Sequence, residues 1–318
     1  MMLKKPVEIY AGTELAAYGF PNGHPFSLFR HDAFIEEINS DERLKFLKKN
    51  SPVTASIEIL QLFHTPDYVD FVKRKSQEGH GFLDSGDTPV FPGVYEAACF
   101  VVGSAVEAAD RIMRGIVDKV FIPVAGLHHA RRDRAAGFCV FNDCGVVLEF
   151  LLQNYGLKKI AYVDIDAHHG DGIYYGFIDN PHIIFADIHE SPQSLYPGTG
   201  FANELGEGSG LGYKLNIEMN AGAVDKDFFL AWDQVMNFLN KNEPEFILFQ
   251  CGADSVAGDP LTHLQYSSGA HTEAALQLAR LADRFCQGKM LAVGGGGYNL
   301  TNIQKAWAGV VRSMSRIL

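Results

Sequence analysis

The segment VDIDAHHGDG (163–172) places three carboxylates and two imidazoles within ten positions. Burying so many polar groups costs free energy unless each has a partner, and a cation is the first candidate. In an extended segment Asp164, Asp166 and His168 share one face, because side chains alternate with period two. Where the strand ends and curls, the Asp166 carboxylate and a His168 nitrogen can converge on one ion. The alternative for these residues alone is a hydrogen-bonded strand cap.

A third ligand is available in GADSVAGDP (252–260), where Asp254 follows another apolar run. Two carboxylates and an imidazole that leave one position open suit a catalytic zinc. Water in that open position becomes more acidic and more nucleophilic at neutral pH. The pattern therefore predicts one Zn²⁺ held by Asp166, His168 and Asp254.

The adjacent histidines His128 and His129 follow a further apolar run. They either ligate zinc or act as a general acid and base, and satisfied core histidines are the structural alternative. Asp164 and Asp171 are left over from the opening segment. A buried His–Asp hydrogen bond fixes the tautomer of the imidazole and tunes its basicity. Two histidines and two spare aspartates therefore suggest two His–Asp pairs beside the metal.

The glycine-rich segment GGGGYNL (294–300) lets the backbone pass close to another group. Tyr298 follows a predicted strand end, where a phenol hydroxyl can stabilise an oxyanion. A phosphate-binding loop is the alternative for such a run. The GK[ST] signature and the context of the dinucleotide fingerprint are both missing, which disfavours phosphate.

Continuous apolar runs predict a central, mainly parallel sheet that is buried on both faces, with helices on each side. Strands are predicted at 119–124, 159–165, 182–188, 213–219, 246–251 and 290–295, and helices at 93–115, 143–154, 225–241, 270–286 and 302–316. Residues 31–78 read as helical and 79–92 as a loop. Nearly every unusual polar group follows a predicted strand, where open parallel sheets bind ligands. We therefore predict a single α/β domain that covers residues 1–318.

Composition limits the partners of the chain. It has 318 residues, 47% of them hydrophobic, and a formal net charge of −11, which disfavours nucleic-acid binding. No run reaches the ~18 apolar residues of a membrane span, and MMLKKPVEIYAG lacks the apolar region of a secretory signal. Five scattered cysteines without a CxxC pair favour a reducing cytosol. We expect a cytoplasmic protein without a nucleic-acid or membrane partner, and the sequence carries no signal for its oligomeric state.

Together these segments resemble the histone deacetylase family of zinc-dependent lysine deacetylases, which have the arginase/deacetylase fold. The matching blocks occur in family order: GHPFSLFR (23–30), GLHHARRDRAAGFCVFND (126–143), VDIDAHHGDG (163–172), YPGTG (196–200), GADSVAGDPL (252–261) and GGGGYNL (294–300). The forms HHARRDRAAGFC and GGGGYNL are more similar to class I, class IV and bacterial acetoin-utilisation-type members than to acetylpolyamine amidohydrolases.

The resemblance implies the same three zinc ligands and assigns the catalytic roles around them. His129 corresponds to the general base that activates water and then serves as the general acid. His128 corresponds to a second, electrostatic histidine, and Asp164 and Asp171 to the partners of the two imidazoles. Tyr298 corresponds to the oxyanion donor.

The resemblance also implies a substrate tunnel with an internal cavity beneath it. Asp87 corresponds to a rim carboxylate that hydrogen-bonds the substrate backbone. Arg30 corresponds to the arginine of the internal cavity, and Leu127 stands where class I enzymes carry Trp. Two aromatic walls, of which Tyr196 replaces the commoner Phe, a rim residue and two glycines line the tunnel. They are Phe138, Tyr196, Leu261, Gly137 and Gly296.

A structural K⁺ is a further implication of the resemblance. Its site uses the Asp164 carboxylate and the carbonyls of Asp166, His168 and Ile188. Asp187 stands there in place of the class I Ser, and its carboxylate either binds the cation more tightly or pairs with another group. A second monovalent site would use carbonyls near Phe177, Asn180 and Ile183.

The predicted activity is hydrolysis of acetyl or other acyl groups from lysine side chains of a protein or peptide, with inhibition by hydroxamates. Deacetylation of polyamines or another small acetylated amine is the rival activity. Ureohydrolase chemistry of the arginase type is disfavoured, because it needs a second metal with additional carboxylates. A catalytically silent acyl-lysine binder is the rival from another class, and turnover would distinguish it.

Overall fold

A computed structural model describes residues 5–316. The first four residues of MMLKKPVEIYAG, the segment without a secretory signal pattern, lie outside that range. Eight strands run through the described chain: β1 Glu8–Tyr10, β2 Lys48–Asn50, β3 Lys119–Ile122, β4 Ile160–Asp164, β5 Ile183–Glu190, β6 Lys214–Met219, β7 Phe246–Gln250 and β8 Met290–Val293. They form one sheet in the order β2-β1-β3-β8-β7-β4-β5-β6. Every pairing is parallel.

Helices alternate with the strands along most of the chain. They are α1 Thr13–Ala16, α2 Phe29–Ser40, α3 Ile57–Leu60, α4 Pro66–Glu78, α5 Val94–Met113, α6 Asp143–Tyr155, α7 Asp171–Gly176, α8 Asp225–Asn242, α9 Ser268–Phe285 and α10 Leu300–Ser315. None of these helices is both long and apolar enough to cross a membrane.

The apolar core lies in two layers, one on each face of the sheet. Successive side chains of a strand point to opposite faces. Tyr162 and Phe185 accordingly pack in one cluster with residues of α5 and α6. Val163 and Ile184 pack in the other cluster with residues of α8, α9 and α10. This confirms the predicted α/β class with a parallel sheet and helices on both faces, and explains why the strands are apolar throughout.

The six predicted strands are present, but the two strands at one side of the sheet, the edge strand β2 and its neighbour β1, were not foreseen. β1 and β2 have three residues each, and β2 reads KKN, which carries no apolar run. The prediction that residues 31–78 are helical is therefore wrong in part, because β2 and the loop 51–56 interrupt that region. The short helix α7 was also missed, since its six residues follow the polar segment without a full amphipathic period. The extent of the domain, residues 1–318, stays a prediction.

The register of the sheet brings the strand ends together. Asp164 at the end of β4 pairs with Gln250 at the end of β7 and with Asp187 in β5. Gln250 pairs in turn with Val293, the last residue of β8. The segments that follow β4, β7 and β8 therefore leave one edge of the sheet side by side.

Candidate active site

Three predicted metal ligands converge at this edge of the sheet. Nδ1 of His168 lies 3.1 Å from Oδ1 of Asp166 and 3.1 Å from Oδ2 of Asp254. One ligand atom from each of the three lies within 4.8 Å of the others, and all three residues are buried. Two buried carboxylates that face one another are destabilising unless a positive charge compensates them. Two oxygens and one imidazole nitrogen suit a divalent cation such as zinc.

The remaining carboxylate oxygens are held by hydrogen bonds. Oδ2 of Asp166 accepts from Nε2 of Gln250 at 2.8 Å and from the Gly296 N–H at 2.7 Å. Oδ1 of Asp254 accepts from the Ala167 N–H at 2.9 Å. These bonds leave the other oxygen of each carboxylate directed at His168. Such outer bonds orient ligands for a metal, so the residues present fit the predicted ion.

The glycine-rich loop passes directly against these carboxylates. A Cβ at Gly296 would overlap Oδ2 of Asp254 and would lie 2.8 Å from Oδ2 of Asp166. Only glycine therefore allows the loop to approach the metal centre. Arg30 is buried against this glycine-rich loop. It donates from Nε to the Gly297 carbonyl at 2.8 Å and from Nη2 to the Gly295 carbonyl at 2.5 Å.

Two His–Asp pairs stand beside the metal ligands, as predicted from the residues left over in the opening segment. Nδ1 of His128 lies 2.8 Å from Oδ2 of Asp164, and Nδ1 of His129 lies 2.8 Å from Oδ1 of Asp171. The two Nε2 atoms face each other at 3.1 Å. When both Nδ1 atoms donate to carboxylates, two Nε2 atoms at this distance have room for a single proton between them. One imidazole therefore donates and the other accepts.

Electrostatics decides which imidazole donates. Burial disfavours charge on His128, but the carboxylates of Asp164 and Asp166 outweigh it and raise the pKa of His128 to about 9. Burial and the charge of His128 lower the pKa of His129 to about 4, against the opposing effect of Asp171. Asp171 is also shared, since Nη2 of Arg131 donates to its Oδ2 at 2.7 Å. Charge is thus favoured on His128 and disfavoured on His129, which suits His129 to the role of proton acceptor.

Aromatic side chains enclose the space above these groups. The ring of Tyr298 lies 5.9 Å from that of Phe138, edge to face, and the Tyr196 ring lies 5.1 Å from the His129 ring. A Cβ at Gly137, where φ is +52°, would lie 2.5 Å from Cδ2 of His129. Gly137 therefore permits the close approach of this wall to the imidazole. The Tyr298 hydroxyl makes no hydrogen bond to another described residue.

Two leucines were named with the site, Leu127 for the internal cavity and Leu261 for the rim of the tunnel. Leu127 is buried and lines the same narrow cavity as Tyr298 and His129. The Leu261 N–H donates to Oδ1 of Asp259 at 3.0 Å, and the Tyr298 N–H donates to Oδ2 of the same carboxylate at 2.8 Å. Asp259 therefore ties the predicted rim residue to the predicted oxyanion donor.

The loop that carries Asp87 is held by its neighbour Asp84. Oδ1 of Asp84 accepts from three successive backbone N–H groups, those of residues 86–88, at 2.9–3.0 Å, and Oδ2 accepts from the Thr88 hydroxyl at 2.6 Å. The Asp87 side chain is exposed and makes no hydrogen bond within the described chain. His24 links this loop to Phe138, because Nε2 of His24 lies 3.4 Å from the Asp87 carbonyl and its ring lies 4.5 Å from that of Phe138.

Asp187, at the predicted monovalent-cation site, contacts an imidazole and a backbone N–H. Its Oδ1 lies 2.8 Å from Nδ1 of His189, and its Oδ2 accepts from the Gly170 N–H at 2.8 Å. Both carboxylate oxygens of Asp187 therefore have a partner within the described chain. The potassium site itself, with Ile188 and the other residues named for it, stays a prediction.

Several residues that support the site were missed from the sequence. Gln250 holds Asp166, Arg131 holds Asp171, and Asp259 holds Tyr298, as described above. Gln250 could have been predicted from the sequence, because it is a polar residue at the end of the otherwise apolar run FILFQ. A buried polar side chain there needs a hydrogen-bond partner. Arg131 and Asp259 lie in motifs that were recognised, but their spacing alone does not identify their partners.

Known proteins are similar to this chain in sequence and in fold. A family model described as "Histone deacetylase domain" matches residues 24–314. The acetoin utilization protein AcuC of Bacillus subtilis is 38% identical over 94% of this chain and 80% of its own length. A probable deacetylase of Archaeoglobus fulgidus is 33% identical over 83% of this chain and 72% of its own length. The crystal structure of a histone deacetylase homolog complexed with SAHA superimposes with a TM-score of 0.85 at 30% identity, covering 98% of this chain and 84% of that one.

The chain therefore belongs to the histone deacetylase family, and it is a deacetylase of that type. Within the family it is similar to the bacterial AcuC proteins.

Proposed function

We propose that this protein is a zinc-dependent lysine deacylase that removes acetyl groups from protein or peptide substrates. One observation carries the proposal. The three converging ligands Asp166, His168 and Asp254 lie beside two imidazoles whose Nδ1 atoms are held by carboxylates and whose Nε2 atoms face each other. This arrangement supplies a metal centre and a base together, which amide hydrolysis by activated water requires.

When bound at this centre, zinc would polarise the amide carbonyl and acidify the attacking water. His129 accepts the proton of that water at Nε2, which exchanges its contact with Nε2 of His128 for the water, because its Nδ1 proton is engaged by Asp171. His128 keeps its own proton through Asp164 and stabilises the negative charge that develops nearby.

Tyr298 supplies the hydrogen-bond donor for the oxyanion. Its hydroxyl has no protein partner within the described chain, so it is available to donate a hydrogen bond to the carbonyl oxygen as that oxygen becomes an oxyanion. His129 then returns its proton to the leaving amine of lysine. Phe138 and Tyr196 flank the aliphatic stem and exclude water from it.

The mouth of the tunnel supports a peptide substrate. Asp84 holds the loop, which leaves the exposed carboxylate of Asp87 free to accept from backbone N–H groups of a bound peptide. We also propose a structural potassium ion beside Asp164, inhibition by hydroxamates and a cytoplasmic location. The location is supported by five cysteines that are buried and unpaired.

Metal analysis combined with turnover tests the proposal. The purified protein is assayed for zinc content and for acetate release from an acetyl-lysine peptide, before and after chelation. We expect one zinc per chain, loss of acetate release on chelation and recovery with one equivalent of zinc. Peptide binding without acetate release from the zinc-loaded protein would instead establish a silent binder. Full activity of the metal-free protein would contradict the metal assignment.

A further inference from the structure

A lysine side chain is buried on the far side of β5 from β4. Lys214 is the first residue of β6 and is 2% exposed. Its Nζ lies 2.9 Å from the Asn180 carbonyl oxygen and 2.7 Å from the Ile183 carbonyl oxygen. Its stem is covered by Gly206, where a Cβ would lie 2.9 Å from Cγ of Lys214. No carboxylate forms an ion pair with this amine within residues 5–316, although Asp179 lies near enough to favour its charge.

The two carbonyls belong to the turn that joins α7 to β5. The Asn180 N–H donates to the Phe177 carbonyl at 3.1 Å, and the Ile183 N–H reaches the Asn180 carbonyl at 3.4 Å, so the turn is internally bonded. Carbonyl oxygens that converge in this way replace the hydration shell of a monovalent cation in proteins that bind one. Here the positive group at the point of convergence is the side chain of Lys214.

We propose that the ammonium group of Lys214 takes the place of a bound monovalent ion. It lies at the carbonyl oxygens of Asn180 and Ile183, which we call the carbonyl cage. The carbonyls of Asn180 and Ile183 are two of those expected from the resemblance to form a second monovalent site, and the lysine fills that site from within. The chain therefore requires no ion at this turn. The turn connects α7, which begins at the His129 partner Asp171, to β5, which contains Asp187, so the amine supports the segment between these two carboxylates.

A covalently tethered amine differs from an ion in two measurable ways. It cannot be removed by dialysis, and it titrates. Burial lowers the pKa of Lys214 to about 7, and Asp179 opposes that shift. Measurements are therefore made at pH 6, where the amine carries its proton and stands for a cation.

The test compares the thermal stability of four proteins, the unmodified protein and three variants, in potassium, ammonium and choline chloride at equal ionic strength. Lys214→Ser removes the amine and opens the cage. Lys214→Met keeps the stem but carries no charge. Lys226→Ser, at an exposed lysine of α8, is the matched control. In choline, we expect Lys214→Ser and Lys214→Met to melt roughly 5 °C or more below the unmodified protein.

Potassium or ammonium should restore most of that loss in Lys214→Ser alone, because only its cage is open to the ion. The unmodified protein and Lys226→Ser share any remaining potassium dependence, which comes from elsewhere in the chain. A Lys214→Ser protein that gains no more from potassium than the unmodified protein would overturn the proposal. If Lys214→Ser does not fold in any salt, Lys214→Met decides: a melting temperature equal to that of the unmodified protein would overturn the proposal, and the expected loss would support it. The readout is stability, so its outcome is independent of the deacylase proposal.

Discussion

The floor and the mouth of the active site are built in different ways. The floor consists of buried groups that each make several hydrogen bonds, whereas the mouth consists of groups that are exposed or tied by a single bond. Asp254 is 0% exposed and Tyr196 is 43% exposed. Floor denotes Asp166, His168, Asp254 and the two His–Asp pairs, and mouth denotes the proposed rim residues Asp87, Tyr196 and Leu261.

The difference indicates which part of the function each region determines. Buried carboxylates and imidazoles are stable only with their partners, so a change of one group disturbs the reaction itself. Exposed groups at the mouth have few partners in the protein, so their substitution changes what is bound more than how it reacts. We therefore expect the effects of mutation to decrease from the floor to the mouth.

The largest effect is expected at the floor, from Asp254→Ala. This change removes one of three metal ligands, so zinc affinity and acetate release should both collapse. Zinc content by mass spectrometry and turnover on an acetyl-lysine peptide measure the two effects. Asp233→Ala, at an exposed carboxylate of α8, is the control and should retain both. Full zinc occupancy in the Asp254 variant would show that the floor is not the metal centre.

The next effect is expected from Tyr298→Phe, which deletes one hydroxyl and little volume. Loss of one preorganised donor to an oxyanion typically lowers the rate about 10²–10³-fold. The loss should appear in kcat, with KM and zinc content little changed. Unaltered turnover would mean that the phenol only packs against Phe138, and that another group stabilises the oxyanion.

A smaller and selective effect is expected at the mouth, from Asp87→Asn. Hydrogen bonds to a charged group contribute about 1.5–3 kcal/mol, which corresponds to about tenfold to over a hundredfold in rate. We expect kcat/KM to fall by that factor on an acetyl-lysine peptide, and to be spared on a minimal acetyl-lysine analogue without flanking amides.

Asp84→Asn is the informative comparison for Asp87→Asn, because Asp84 holds the loop by its own hydrogen bonds. Asp84→Asn should lower kcat/KM on the peptide and on the minimal analogue by the same factor, because it loosens the loop. Equal losses on both substrates from Asp87→Asn would assign Asp87 the same structural role and would remove the argument for a peptide.

The smallest effect is expected from Tyr196→Phe. The hydroxyl of Tyr196 makes no hydrogen bond to a described residue, and its ring supplies the contact with His129. Removal of an exposed, unpaired hydroxyl should change kcat/KM by about twofold or less. A loss comparable to that of Tyr298→Phe would place this hydroxyl in the chemistry and would erase the distinction between floor and mouth.

Sequence patterns predicted the floor better than its supports. Asp166, His168 and Asp254 are recognisable because buried polar groups at strand ends need a partner, and that need is local. The partners Gln250 and Asp259 depend on which strands are neighbours, which the order of the sheet decides. The edge strand KKN was not predicted for a related reason. Its strand conformation comes from pairing with β1 and not from its own residues. The occupation of the carbonyl cage by Lys214 likewise follows from the pairing of β6 with β5.

The most direct test of the account is a comparison of substrates on the unmodified, zinc-loaded protein. Values of kcat/KM are measured side by side for acetyl-lysine peptides, longer acyl-lysine peptides and acetylated polyamines, with acetate or acid release as the readout. The account predicts that an acyl-lysine peptide is the fastest of these substrates, because the mouth offers the Asp87 carboxylate to backbone amides that polyamines lack. A faster reaction with acetylated polyamines would contradict it.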